Sequence, residues 1–346
     1  MKTRRREGNK TRRLFSLRWP FFLSLLLLTS VRMPAAYSQV NLSKLKGANR
    51  PKIGLVLGGG GAKGAAEIGV LKALEEAGLE FDYIAGTSIG SIIGGLYSCG
   101  FRAAELEKMF LSQKWLTLMT DRDEEYSKAF SNDDGVIHAF GFPIYTSVKT
   151  KKQRKKYGKE SPISGFGLNH GDKIVALFDS LTARKDSISF DSLPIPFRCV
   201  ATDIIKQDEV VLYAGVLSMC MRASMAIPGV FKPVKLNGRL LVDGGMQNNL
   251  PVDVAREMGA EYVIAIDLTQ NKHETRSFSL KESWGIGGIL DWLVSRPDWK
   301  KYNENVADAN LYINPPLDYD ALDFQTEKIR KMIDIGYQTA KRMLKK

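Results

Sequence analysis

An apolar run, Ile53-Gly54-Leu55-Val56-Leu57, opens directly onto four consecutive glycines, Gly58–Gly61. So short and unbroken a run is the pattern of a strand buried on both faces of a parallel sheet. Helical spacing follows over Ala62–Ala77, with Ile68, Leu71 and Leu74 on one face and Gly78 as the stop. A second strand, Tyr83-Ile84-Ala85, ends at Gly86-Thr87-Ser88, and another helix begins at Ile89 and runs to about Tyr97. Phe197–Ala201 and Tyr262–Leu268 read as later strands, the second preceded by the helical Val252–Met258. Strands that alternate with helices build an α/β fold with a parallel, helix-covered sheet.

The chain has 346 residues, enough for one large domain with a sizeable core. Its net charge of +12 invites a nucleic-acid reading until the charges are located. Residues 1–38 hold nine Lys and Arg against Glu7 alone. That segment has the order of a signal peptide: a basic region, the apolar run Trp19–Leu28, then Ala35, Ala36 and Ser38, with cleavage expected after Ser38. The apolar run is shorter than the ~20 residues of a spanning helix. A cleaved signal is therefore favoured over an anchor, and an exported chain, periplasmic or secreted, is expected. Thr11–Phe15 also has a twin-arginine look.

Residues 39–51 read as a linker, 52–268 as the main domain, and 269–346 as an extension packed on that domain, with one more strand at Asn310–Ile313 and a closing helix over Glu327–Leu344. Regularity fades between Asp121 and Asp191, an insertion that contains Lys149–Lys159, with seven basic residues around Tyr157. This run is either a solvated loop or a peripheral contact with an anionic membrane, worth ~1 kcal/mol per basic residue. Nucleic acid would need a basic face beyond this one loop. Cys99, Cys199 and Cys220 sit among apolar neighbours and read as buried free thiols.

Gly86-Thr87-Ser88-Ile89-Gly90 is a G-x-S-x-G between a predicted strand and helix, the setting in which a sharp turn projects a nucleophilic serine. Gly58–Gly64 admits three readings. A phosphate-binding loop fails because Ala62 precedes Lys63 and Gly64 follows it. A dinucleotide fingerprint fits as Gly59-x-Gly61-x-x-Gly64 but lacks an acidic residue at the end of the second strand. The third reading, an oxyanion hole of the Gly59, Gly60 and Gly61 amides facing Ser88, is favoured; one such donor is worth ~2.7–4 kcal/mol in the transition state. The serine needs a base. His138 and His170 lie in the irregular middle. His273 follows a strand and would complete an ordinary Ser–Asp–His order with Ser88 and Asp243. Asp243, leaving an apolar strand into Gly244 and Gly245, is equally readable as a type II turn or as the base itself.

Gly59–Gly64, Gly86–Gly90, Arg222-Ala223-Ser224-Met225-Ala226-Ile227-Pro228-Gly229 and Asp243-Gly244-Gly245 occur in the order seen in the patatin-like phospholipase family, and the chain resembles a bacterial member over about Ile53–Leu268. The resemblance implies a three-layer α/β/α sandwich with a mostly parallel central sheet. It implies a Ser88–Asp243 dyad, an oxyanion hole at Gly59–Gly61, and supporting roles for Gly64, Gly86, Gly90, Gly244 and Gly245. The expected activity is release of fatty acids from phospholipids or related lipids, without a metal or other cofactor. An acyltransferase, a non-lipid esterase, or a catalytically silent lipid-binding module would keep the same residues. Glu67 stands where many relatives carry histidine and is expected to lie outside the chemistry.

Overall fold

Ile53–Leu57 forms β1, with all five residues buried. Its side chains alternate: Ile53, Leu55 and Leu57 enter one hydrophobic cluster and Val56 enters another across the sheet. The apolar run is unbroken because both faces are filled. The computed structural model describes residues 42–121, 136–139, 142–145, 169–183, 186–228, 230–270 and 299–345. The signal segment 1–38, the basic run Lys149–Lys159 and His273 lie outside the described residues.

In chain order, β1 is followed by α1 (Ala65–Glu76), β2 (Tyr83–Thr87), α2 (Ile89–Ser98), α3 (Ala103–Ser112), α4 (Trp115–Thr120), the antiparallel pair β3 (Val136–Ala139) and β4 (Phe142–Tyr145), α5 (Asp172–Thr182) and β5 (Ser187–Ser189). Next come β6 (Phe197–Asp203), β7 (Asp208–Leu212), β8 (Ala214–Val216), α6 (Leu217–Ser224), β9 (Val234–Leu236), β10 (Arg239–Asp243), α7 (Val252–Glu257), β11 (Tyr262–Ile266), α8 (Trp299–Asp308), β12 (Leu311–Ile313) and α9 (Thr326–Leu344). The helix expected from Ala62 starts later, because Gly61–Gly64 winds as a 3-10 turn. There the Ala62 amide donates to Ala321 O (2.8 Å) instead of to a carbonyl of its own helix.

The main sheet runs β12-β11-β1-β2-β6 in parallel. One layer of helices, α1, α2, α3, α6 and α9, shares a cluster with Leu55, Ile84, Phe197 and Ile264. On the other face, Val252, Val254 and Ala255 of α7 and Tyr302 of α8 pack on Val56, Ala85, Val200 and Ala265. The result is the expected three-layer α/β/α sandwich. The reading of 121–191 as irregular is corrected near its end. Asp172–Thr182 is a helix that buries Ile174 and Phe178, and Asp121 caps it by accepting the amides of Gly171 (2.6 Å) and Lys173 (3.0 Å).

Antiparallel strands at one end of the sheet position the site. β6 carries β2 beside Phe197–Val200 and β10 beside Ala201–Asp203, while β7 lies along Cys199–Asp203. Since β7 faces both β2 and β10 across β6, β2 and β10 occupy the same side and meet end to end. Thr87 pairs with Val200 and Asp243 with Ala201. The next residue after Thr87, Ser88, is therefore delivered to Asp243 by consecutive positions of one strand.

The closing helix α9 crosses α1 with backbone against backbone. A Cβ on Gly336 would lie 1.9 Å from Ala66 O, and one on Gly69 would lie 1.8 Å from Ile333 O. Alanine ordinarily gains about 1 kcal/mol over glycine inside a helix. Here the overlap outweighs that gain, since overpacking costs typically about 1–3 kcal/mol. Gly69→Ala and Gly336→Ala are each expected to lower the unfolding free energy in chemical denaturation. Stabilisation by either would contradict the close crossing.

Candidate active site

β2 ends at an elbow in which Ser88 takes φ 55 and ψ −121, a region that costs a residue with a Cβ about 1–3 kcal/mol. Neighbouring groups hold it there. The Ser88 amide donates to Ser224 Oγ (2.9 Å), and the Ser88 carbonyl accepts from Ser91 Oγ (2.6 Å) and Ser91 N (2.9 Å). Thr87 Oγ1 donates to Asn248 O (2.8 Å). Gly90 lets the elbow press onto the end of β1, where a Cβ would fall 2.3 Å from Leu57 O. Gly86 faces Gly90 across the turn, and Gly64 packs on Ile89. The N-terminal end of α2 begins at Ser88, so its partial positive charge favours negative charge developing there.

Ser88 Oγ donates to Asp243 Oδ2 at 2.7 Å, and both residues are only 6% exposed. Asp243 Oδ1 accepts the Gly245 amide (2.8 Å), and the Asp243 amide donates to Ala226 O (3.0 Å). Burial pushes the Asp243 carboxyl up to about 6, against the downward pull of the Ser88 and Gly245 hydrogen bonds. A carboxylate with ordinary acidity is a weak base for a hydroxyl, and desolvation corrects this in the useful direction. Ser224 ties the pair together. Its Oγ donates to Val200 O (2.5 Å) while accepting from Ser88 N, and Gly244 presses on that same carbonyl.

The glycine loop stands against Ser88, with a Cβ on Gly59 falling 3.3 Å from Ser88 Cβ. Its three amides are not equivalent. Gly59 N–H donates to Asn249 O (3.1 Å), and Asn249 Nδ2 returns a bond to Gly59 O (3.1 Å). Among the hydrogen bonds between described residues, none uses the Gly60 or Gly61 amide. Of the three donors expected from the sequence, Gly59 is thus a braced position, and Gly60 and Gly61 carry the unengaged N–H groups.

Sequence reasoning gave no separate weight to Ser224, Asn248 and Asn249. The only local signal was the pair of asparagines ahead of Leu250-Pro251. Asn249 is 2% exposed, and buried amides need partners that fix them. Glu67, set aside from the chemistry, is fully buried in α1. The Gly58 amide faces it but donates to Ile266 O (3.0 Å), leaving both Glu67 oxygens without a partner. Desolvation, with the nearby Asp267 charge adding to it, raises the Glu67 pKa well above its ordinary value. His170 is a surface residue whose Nε2 meets Lys232 Nζ (2.7 Å). Cys199 and Cys220 are buried thiols, with burial pushing Cys220 up to about 12, whereas Cys99, expected to be buried with them, is only half-buried.

A family model described as patatin-like phospholipase matches residues 55–256. Human patatin-like phospholipase domain-containing protein 6 is 33% identical over an alignment of 312 positions that covers 84% of this chain and 20% of that protein. Lysophospholipase nte1 of Aspergillus niger is 31% identical over an alignment of 315 positions that covers 85% of this chain and 18% of that protein. The chain thus spans about a fifth of the length of these curated relatives. Among solved structures, VipD from Legionella pneumophila aligns with a TM-score of 0.42 and 16% identity, over 85% of this chain and 67% of that one. The chain belongs to the patatin-like phospholipase family.

Proposed function

We propose that the protein is a lipid acyl hydrolase that works through a Ser88–Asp243 dyad and an acyl-enzyme. The observation that carries the reading is the buried 2.7 Å hydrogen bond from Ser88 Oγ to Asp243 Oδ2, in a chain of this family. Asp243 takes the hydroxyl proton as Ser88 Oγ attacks the carbonyl carbon of a fatty-acyl ester. The amides of Gly60 and Gly61 hold the oxyanion, aided by the N-terminal end of α2. Collapse of the tetrahedral species expels the alcohol, which leaves with the proton from Asp243. Water then gives its proton to the same carboxylate and attacks the acyl carbon, and Ser88 recovers its proton as the fatty acid leaves. Substrates of this reading are phospholipids and related fatty-acyl esters.

Fluorophosphonate labelling tests the nucleophile. Labelling of the wild type and its loss in Ser88→Ala are expected. An unlabelled wild type, or equal labelling of Ser88→Ala, would sink the reading.

The pH profile tests the base. Since the carboxylate is the active form and Asp243 titrates at about 6, kcat/KM should be flat above that pH. Below it, the value should fall by about a decade per pH unit. An activity that rises on acidification would assign the controlling group elsewhere.

Stability runs the other way. The folded pKa of Asp243 is raised from 3.8 to about 6, so the folded state holds this proton more tightly than the unfolded one. The resulting contribution is complete below 3.8 and is lost as pH rises through about 6. Asp243→Asn, which keeps an acceptor for Gly245, should therefore raise the unfolding free energy at pH 8 by up to roughly 3 kcal/mol. It should give little gain near pH 4 and abolish hydrolysis. A destabilised Asp243→Asn at pH 8 would contradict the burial cost.

A further inference from the structure

Among the described residues, the large hydrophobic side chains that stand out into solvent are Ile204, Ile205 and Tyr213, and two of them are adjacent. Ile204 is 37% and Ile205 75% exposed. Single exposed isoleucines need no explanation, but these two sit on a turn that is fixed in place. Asp203 Oδ1 accepts the amides of Ile205 (3.0 Å) and Lys206 (3.2 Å), and Gln207 N donates to Asp203 O (2.7 Å). Ile204 N donates in turn to Leu240 O (3.0 Å), which joins the β6–β7 turn to β10 and to the Asn237–Gly238 turn before it. The exposed charged side chains around this double tip are Lys206, Lys235 and Arg239, with Asp208 as the exposed acid; Gln207 and Asn237 are exposed beside them. Glu209 is occupied by Lys301.

The tip also lies at the edge of the sheet that holds the site. Val200 is level with Thr87, the residue before Ser88. β6 then continues to Asp203, and at about 3.3 Å per residue this carries the tip roughly 10 Å beyond the nucleophile. A rigid, apolar and basic projection on that edge matches a surface with apolar depth and negative charge. Ordering such a turn costs nothing further on binding.

We propose that the paired β6–β7 and β9–β10 turns dock the protein on an anionic lipid surface, with Ile204 and Ile205 entering the headgroup region and Lys206, Lys235 and Arg239 contacting its charge. This rests on the lipid-substrate reading above and names the physical state in which that substrate is met. Charge complementarity selects an anionic bilayer over a zwitterionic one.

The test is co-sedimentation of the full chain with vesicles of phosphatidylcholine alone and of phosphatidylcholine with phosphatidylglycerol, beside hydrolysis of a short-chain, water-soluble ester. The variants are Ile204→Ser with Ile205→Ser, Lys206→Glu with Arg239→Glu, and glutamine at the lysines of 149–159. Removing the isoleucines should weaken vesicle partition by about tenfold or more. Reversing the charges should weaken it by a similar factor on anionic vesicles alone. Both should leave soluble-ester hydrolysis at the wild-type rate. Unchanged partition in the tip variants, or a loss confined to the 149–159 variant, overturns the proposal. A changed oligomeric state with unaltered partition also overturns it and assigns the tip to a second copy. Tip-dependent partition by a wild type that hydrolyses neither the ester nor the vesicle lipid supports the docking surface and refutes the hydrolase reading.

Discussion

The site depends on one junction in the sheet, where β2 and β10 abut on the same side of β6. Thr87 pairs with Val200 and Asp243 with Ala201, so the spacing of two residues far apart in the chain is set by adjacent residues of a third strand. The Val200 carbonyl is the pivot. It accepts Ser224 Oγ, whose oxygen also receives the Ser88 amide, and it is the surface against which Gly244 closes. A one-residue slip of β10 would turn Asp243 to the opposite face. The motif glycines at 86, 90 and 244 can be understood from this junction, because three strand ends and a helix N-terminus converge with backbone in contact.

Desolvation gives the junction its chemistry and also its thermodynamic cost. Closing hydrophobic packing around the pair leaves Asp243 with Ser88 and Gly245 as hydrogen-bond donors, too few to hold its carboxyl in the ordinary range. The same packing strengthens every dipole aimed at Ser88. At the site, backbone strain sits in the elbow, where Ser88 adopts φ 55 and is held by bonds from Ser91 and to Ser224. Glu67 follows the same logic behind the glycine loop, where burial pushes a carboxyl's pKa upward.

Much of this fold was legible because its signals are local. Ile53–Leu57, the α1 spacing of Ile68, Leu71 and Leu74, and the Gly86–Gly90 elbow each announce themselves within a dozen residues. The antiparallel cap was not legible, since β7, β9 and β10 are defined by register against β6. Asp243 therefore read equally as a turn residue or as a base. Ser224 and Asn249 are neutral side chains whose importance is entirely tertiary: one bridges two strands, the other clamps Gly59 from both sides. That clamp also sets the Gly59 amide apart from those of Gly60 and Gly61, a distinction the glycine run itself does not carry. α5 carries Ile174, Leu177, Phe178 and Leu181 at helical spacing, a local signal hidden only by reading Asp121–Asp191 as one irregular stretch around its basic run.

The central claim is that a carboxylate, acting without a histidine intermediary, activates Ser88. The most direct test is the rate constant for fluorophosphonate inactivation of wild type, Asp243→Asn and His273→Ala at pH 8. A direct dyad predicts that His273→Ala reacts at the wild-type rate and that Asp243→Asn is slower by about 10²–10⁴. Near-wild-type reactivity of Asp243→Asn, with the loss in His273→Ala, would contradict it and install a triad in its place.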